Sequence, residues 1–527
     1  MKNILVIFLL LVSCFTVNGQ SNNVTYSGKI NGFNPSWNFN SGKVIVNNVV
    51  TNLSEIHIVP IDEEGNFSTN FFLNRNQECW ISFPFFNSAV YFGQDKHIVQ
   101  EFDVSDPKHV TSIFKGDFAQ INNDVNKVRS LLNYDWDLIF KEIYNLSADD
   151  YKTYFSKIEK QKISKLDSIR ETAGMNKKAY ALAKGTITYS IAGNLIAINS
   201  NRETAFRMHE NLPFDNREPL SLPVKLGPAY YSFLKDLNYN DKAAMEIHDY
   251  FIFVNRLKFL ELITDQVEKV DNTALINQLK QSDTTDSETR AMIISLQNDM
   301  DKKATVSGSF EKVRPVVLTG LLDTDVTLEL QLMELQDIAH TLDRQKIPLS
   351  DDSLKRIESI YKNPYLHAQI VRLNNKIKET IDGSKSQEGY AINTISEGAE
   401  DRAFEEIIGR YKGKVLFIDF WATWCAPCLQ AIKEIADIKA ELKDEVVFLY
   451  ITNDTSPESA YQVMTPTIAG EHYRLTPKEY AVIAKRFNIV GIPHYVIADQ
   501  TGQILEDNLR WSHTEELKRK LIQLAKQ

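Results

Sequence analysis

The spacing of apolar residues changes twice along this 527-residue chain, and the changes limit the folds open to it. From about residue 21 to 115, short β-favouring runs (VTYSGKI, GKVIVNNVV, EIHIVPI, NFSTNFFL, CWISFPFF, AVYFG) are broken by Asn, Gly, Asp and Pro. The pattern predicts a small all-β sandwich or barrel. Glu64-Gly65-Asn66 lies between two runs and predicts a hairpin turn. From about 118 to 385 apolar positions recur at helical spacing, as in VRSLLNYDWDLIFKEIYNL and VTLELQLMELQDIAHTL. Pro223, Pro228, Pro348 and Pro364 are expected in loops or first turns. Asp382 to Gly389 is polar and reads as a linker. The period then changes again. VLFIDFWA (415–422) predicts a buried strand, 426–443 a helix, VVFLYIT (446–452) a strand and 476–489 a helix. HYVIAD and QILED predict strands, and a closing helix follows, with Ser512 or Thr514 as its cap. The order β-α-β-α-β-β-α is that of an α/β domain. Pro457, Pro466 and Gly470 make 453–475 read as a loop that rims the site.

The expected architecture is therefore multidomain: an N-terminal all-β sandwich, a central all-α domain and a C-terminal α/β domain. The divisions fall at 1–19 (signal peptide), 20–117 (β), 118–385 (helical), 386–394 (linker) and 395–527 (α/β). At roughly 100–200 residues per domain, the length agrees. One lysine precedes the apolar run Ile4 to Val12, which is too short to span a membrane and reads as an export signal. Val17 and Gly19 suit cleavage before Gln20. Leu11-Val12-Ser13-Cys14 also resembles a lipobox, so a lipid anchor at Cys14 stays open. Either route takes the chain outside the cytoplasm, soluble or tethered to the envelope. The net charge is −10 with no long Lys/Arg block, which argues against a nucleic-acid partner.

Only four cysteines occur, and two of them form Cys425-Ala426-Pro427-Cys428. This C-x-x-C follows a buried strand and opens a helix, the setting in which it carries redox chemistry. Unpaired N–H groups and the helix dipole at an N-terminus favour a thiolate, so Cys425 is read as the attacking sulfur and Cys428 as the shielded, resolving one. A zinc site lacks a second C-x-x-C, and the downstream His472 and His494 are remote in sequence. His209, His248, His340 and His367 are dispersed and show no metal-site spacing. A purely structural disulfide across so short a loop offers little entropic stabilisation. No cofactor or metal is expected. Cys79 has no cysteine neighbour and reads as a buried apolar thiol.

Asp419-Phe420-Trp421-Ala422-Thr423-Trp424-Cys425-Ala426-Pro427-Cys428 closely resembles the active-site signature of thioredoxin-fold proteins, and is most similar to the TlpA/ResA branch of exported thiol-disulfide oxidoreductases. Lys412-Gly413-Lys414-Val415 and Gly491-Ile492-Pro493 are similar to that branch too. The resemblance covers about residues 395–527. The upstream layout resembles the N-terminal extensions of such proteins in Bacteroidetes-like bacteria. The resemblance implies a thioredoxin fold and an enzyme, a thiol-disulfide oxidoreductase. It implies that Pro493 is the cis-proline beside the cysteines and that Asp419 is a buried acid serving Cys428, its pKa raised by burial. Trp424, Ala426, Pro427 and Ile492 would form the substrate surface, with Trp421 packing. The compartment that the resemblance implies is the periplasm of a Gram-negative bacterium. The implied partners are disulfide-containing proteins and a membrane-side thiol donor; a homo-oligomer is left open. The branch often carries a glutamate and a proline where this chain has Ala431 and Lys433, so that helix face is altered and the glutamate's role in partner choice or tuning does not carry over. Two other readings remain: a thiol oxidase or isomerase, and an envelope binding or scaffold protein with an accessory redox domain. A peroxidase is disfavoured, since Ala422 stands where its threonine would be.

Overall fold

The computed structural model describes residues 22–37, 39–106, 108–212, 224–266, 307–385, 389–511 and 514–526. The expected leader, Cys14, Pro223 and Ser512 lie outside the described residues. Among the described residues, no helix is long and apolar enough to cross a membrane.

Eight strands form the N-terminal region: β1 (Asn23–Asn31), β2 (Ser41–Asn48), β3 (Leu53–Pro60), β4 (Asn66–Phe72), β5 (Gln77–Phe83), β6 (Phe86–Phe92), β7 (His97–Asp103) and β8 (Thr111–Gly116). They make two four-stranded sheets, ordered β4-β1-β7-β8 and β3-β2-β5-β6. Alternate residues point inward, as the strand period of two requires: Val24 and Tyr26 on β1, Cys79, Ile81 and Phe83 on β5, Ile98 and Phe102 on β7. The core between the sheets is aromatic, with Phe83 and Phe102 centroids 5.4 Å apart.

Two local expectations fail here. CWISFPFF is not one strand; the chain turns at Pro84-Phe85, where proline cannot donate to a ladder, and β6 folds back on β5. The turn at 62–65 exists, with Gly65 at φ +80° and the Asp62 carboxylate accepting the N–H groups of Glu64 and Asn66. It is not a hairpin, because β3 and β4 belong to different sheets and share only the bridge Ile61–Phe67. The turn carries the chain across the sandwich.

The central region contains α1 (Ala119–Lys127), α2 (Arg129–Leu132), α3 (Trp136–Ile143), α4 (Ala148–Ala173), α5 (Lys177–Ile196), α6 (Ile198–His209), α7 (His248–Lys258), α8 (Glu261–Thr264), α9 (Ser307–Leu322), α10 (Thr327–Gln345), α11 (Asp351–Ile360) and α12 (Pro364–Ser384). Local chemistry sets several ends. Ser147 caps α4, Gly174 ends it in the left-handed conformation, and Asn363 caps α12 with Pro364 in its first turn. Pro228 sits in a turn and Pro348 in a loop. The helices share one core with Val49, Val50 and Tyr91 of the sandwich. Polar contacts reinforce this seam: Gln336 Nε2 donates to the Val49 carbonyl at 2.8 Å and Asn48 Nδ2 to Gln369 Oε1 at 2.9 Å.

The C-terminal region is built on a six-stranded sheet ordered β14-β13-β10-β11-β12-β9. Its strands are β9 (Tyr390–Asn393), β10 (Val415–Phe420), β11 (Val446–Asn453), β12 (Gly470–Leu475), β13 (His494–Ala498) and β14 (Ile504–Asp507). Its helices are α13 (Ala403–Gly409), α14 (Ala426–Glu434), α15 (Ala436–Glu441), α16 (Glu458–Met464), α17 (Pro477–Arg486) and α18 (Thr514–Ala525). β9, β10, β11 and β12 run parallel, while β13 and β14 are antiparallel to their neighbours. β10 is buried on both faces, which explains its nearly continuous apolar run. Val415 and Phe417 pack on one face with both cysteines; Leu416, Ile418 and Phe420 pack on the other.

The structure corrects four readings of this region. The 453–475 segment is not a loop, since it holds α16 and the core strand β12. Tyr390–Asn393, inside the stretch read as a linker, forms β9. The helix over 426–443 breaks at Ile435 into α14 and α15. Thr514 is the first residue of α18 rather than its cap. Polar contacts join the region to the upstream body: Lys43 pairs with Glu434 at 2.8 Å, and Ser459 Oγ donates to the Gln345 carbonyl at 2.7 Å.

Candidate redox site

β10 delivers the chain to the site and α14 carries it away. Cys425 is the N-cap of α14, and its Sγ accepts the Cys428 N–H at 3.2 Å. Pro427 lies in the first turn, where its missing N–H costs nothing. The one-turn spacing brings Cα425 and Cα428 to 5.2 Å, and the two sulfurs form a disulfide. Cys425 is 3 % exposed and Cys428 fully buried. Ala426 and Pro427 are exposed, and Trp424 is 47 % exposed. The site thus opens through its first cysteine and the residues beside it.

The loop is held from behind by the segment after β11. Trp424 Nε1 donates to the Thr455 carbonyl at 3.0 Å, Thr423 N–H to Ser456 Oγ at 3.0 Å, and Ser456 Oγ bonds Thr452 Oγ1 at 2.7 Å. These contacts set the direction in which the indole of Trp424 faces solvent. Trp421 is buried against Tyr450 and His472. The Ile492–Pro493 peptide is cis. Ile492 is half-buried and packs on the core that contains the cysteines.

Asp419 follows Val415 and Phe417 at the strand period, so its side chain enters the face occupied by the cysteines. It is fully buried, and neither carboxylate oxygen has a hydrogen-bond partner among the described residues. Burial pushes its pKa well above the ordinary carboxylate range, and the nearby Lys439 ammonium opposes only part of the rise. Lys439, on α15, is pushed down to about 8 by its own burial, with Asp419 working against the fall. Its Nζ donates to the Ala469 carbonyl at 3.1 Å and lies 5.0 Å from the Tyr450 ring centroid. Tyr450 and Tyr495 stand opposite Asp419 on β11 and β13, and both phenols are raised by burial and by that carboxylate.

Sequence reasoning missed Lys439, Tyr450, Tyr495 and the Thr455–Ser456 brace. Lys439 did leave a signal. It stands four residues after Ile435 and three before Leu442, on the stripe α15 turns toward the core. Cys79, by contrast, is a free, fully buried thiol in the sandwich. Among the described residues, no group of three or more His, Cys, Asp or Glu is arranged to hold a metal ion.

A family model described as thioredoxin-like matches residues 413–504, the segment from the entry of β10 to β14. A thioredoxin of Rickettsia bellii is 34% identical over 77 residues, 14% of this chain and 72% of that protein. The thiol-disulfide oxidoreductase ResA of Halalkalibacterium halodurans is 22% identical over 136 residues, covering 26% of this chain and 75% of that protein. The thioredoxin-like protein YneN of Bacillus subtilis is 25% identical over 116 residues; the match takes in 21% of this chain and spans 65% of YneN, just under two thirds of its length.

Proposed function

The chain belongs to the thioredoxin family through its C-terminal domain, and we propose that it is an exported thiol-disulfide oxidoreductase that reduces or exchanges disulfides in proteins. One observation carries the proposal: the Cys425–Cys428 disulfide caps a helix N-terminus beside the exposed Trp424, where a sulfur can meet a partner chain. Export rests on the apolar run near the N-terminus of the sequence, with the periplasm as the compartment.

The reaction starts from the reduced pair. The Cys425 thiolate, favoured by the N–H groups of α14, attacks one sulfur of a substrate disulfide. A new bond joins Cys425 to that sulfur, the substrate bond breaks, and the departing thiolate takes a proton. Cys428 then loses its proton and attacks Cys425 Sγ. The mixed disulfide breaks, the second substrate sulfur leaves as a thiol, and the Cys425–Cys428 bond forms. Two electrons pass to the substrate, whose two sulfurs each gain a proton. The Asp419 carboxylate, with its raised proton affinity, is assigned to accept the proton of Cys428. A membrane-side dithiol donor returns the two electrons. Pro493, at the cis bond, and Ile492, packed on the core that holds the cysteines, are assigned as a surface for the substrate chain.

The test uses the full chain with dithiothreitol as donor and insulin as substrate. Turnover by the natural sequence, together with a trapped covalent complex in Cys428→Ser, is the expected result. An unreactive natural protein would overturn the reading. The equilibrium potential of the pair sets direction: near about −270 mV the pair reduces, and near about −120 mV it oxidises.

A further inference from the structure

A cleft of about 470 Å³ runs from the redox loop into the upstream body. That volume falls within the roughly 300–1,000 Å³ of ordinary ligand clefts. The redox domain lines it with Thr423, Trp424, Ala426 and Leu429. Its far walls come from β3, the end of α10 and α12, with Leu53, Ile56, Leu373 and Ile377 as the apolar floor. The redox domain and the upstream regions thus share a single concave surface.

The charge of this surface is one-sided. Among the described residues, Arg344, Lys346, Arg372 and Lys376 line it against two carboxylates, Glu55 and Asp343. Asp343 is taken by Lys346 at 2.5 Å. Glu55 is shared by Arg372 at 3.3 Å and Lys376 at 3.1 Å. The two cations hold its carboxyl below the usual range despite partial burial. Arg344 has no carboxylate partner among the described residues. Two positive charges are therefore left over beside an apolar floor, on a protein whose net charge is −10. A positive patch on an acidic molecule attracts acidic groups and steers which partners approach it. The ion pair Lys43–Glu434 and the bond from Ser459 to Gln345 hold the redox domain against the same body that carries these charges.

We infer that this cleft recognises an acidic, extended segment of the substrate polypeptide next to its disulfide, so that the upstream regions choose which disulfides reach Cys425. The inference rests on the disulfide-exchange reading and names its substrate class: proteins with Asp or Glu and apolar residues flanking the reactive cysteine. The apolar floor takes the side chains between the charges, while Arg344 and the Arg372–Lys376 pair take the carboxylates.

The experiment uses the full chain, returned to its dithiol form by dithiothreitol with the uncatalysed rate subtracted, and three synthetic peptides, each carrying one cysteine in mixed disulfide with the same chromophoric thiol. They differ only in their flanks, which are acidic, neutral or basic. The expected kcat/KM is about tenfold higher for the acidic peptide than for the basic one. The preference should sit in KM and collapse near 1 M salt, where the Debye length is about 3 Å. Arg344→Glu should shrink or reverse it, with an unchanged thermal melt showing that the variant folds. Equal kcat/KM for the three peptides overturns the inference and leaves disulfide exchange standing. So does a preference unmoved by salt and by Arg344→Glu. A dimer that Arg344→Glu dissociates, with no peptide preference, gives the cleft to a second copy and overturns it too. Absence of exchange with every peptide overturns the exchange reading, and the inference with it.

Discussion

The sandwich and the redox domain both bury cysteine, tyrosine and polar side chains, and they treat them in opposite ways. In the sandwich the Tyr26 hydroxyl donates to Gln100 Oε1 at 2.7 Å, and Gln100 Nε2 donates to Ser112 Oγ at 3.1 Å. Cys79 lies among apolar neighbours, where burial pushes its thiol far up. In the redox domain Asp419, Trp421, Tyr450 and Tyr495 all keep buried polar atoms without a hydrogen-bond partner among the described residues. An unsatisfied buried group costs about 1–3 kcal/mol. In the redox domain the unpaired phenols of Tyr450 and Tyr495 share a core cluster with the cysteine pair, so displaced proton affinities there lie on the sheet face that holds the sulfurs.

The sharpest way to break this contrast is to change sulfurs. Cys425→Ser should reduce insulin-disulfide turnover to the rate of buffer with dithiothreitol alone. Cys79→Ala should leave turnover at the natural rate, because the buried thiol never meets substrate. If Cys79→Ala also abolished exchange in a folded protein, the two cores would not differ as described.

The next effect is at Asp419. Asp419→Asn should slow exchange at pH 7 by about a hundredfold, the loss expected of a missing proton acceptor. It should also flatten the rise of the rate with pH. The same change should stabilise the fold in alkali. A carboxyl whose pKa is raised by folding is harmless below its unfolded value near about 3.9 and costs stability as pH rises through its folded value. Melts of both proteins at acid and alkaline pH will show whether the gain grows with pH. A gain that shrinks would contradict the raised pKa.

The smallest effect belongs to the sandwich. Tyr26→Phe removes a satisfied hydrogen bond and should cost about 1 kcal/mol, read as a lower urea midpoint for the sandwich. Exchange kinetics should not change. A shift in the pH–rate profile of Tyr26→Phe would blur the contrast from the other side.

The legible parts of the sequence were those written in local chemistry. The apolar run Val415 to Phe420 and the C-x-x-C after it placed β10, α14 and the cysteine pair. The alternation in 24–93 exposed most of the sandwich, and the helical period of 118–385 exposed the central region. What escaped depended on distant partners. β12 begins at Gly470 after two prolines, and only its pairing between β11 and β9 makes it a strand. β7 and β8 interleave charged residues with their apolar ones, and β1 and Phe102 packing reveal their inward faces. The turn at Gly65 has hairpin chemistry, yet the decision to cross between sheets lies in β1, which claims β4. At the site, Asp419 stood out as a charge inside an apolar strand. Lys439, Tyr450 and Tyr495 did not, because each looks ordinary until the sheet places it beside that charge.

One short strand has a practical side. β9 lies on the outer edge of β12 and begins only a few residues after the end of α12. Excising the redox domain at residue 395, where its motif resemblance starts, would strip β9 away and bare a row of unpaired backbone groups on β12, a strand of mixed polar and apolar residues. Such an edge invites a second chain to dock by strand addition. A cut at residue 389 leaves the edge capped, so the natural seam for isolating this domain lies before the strand and not after it.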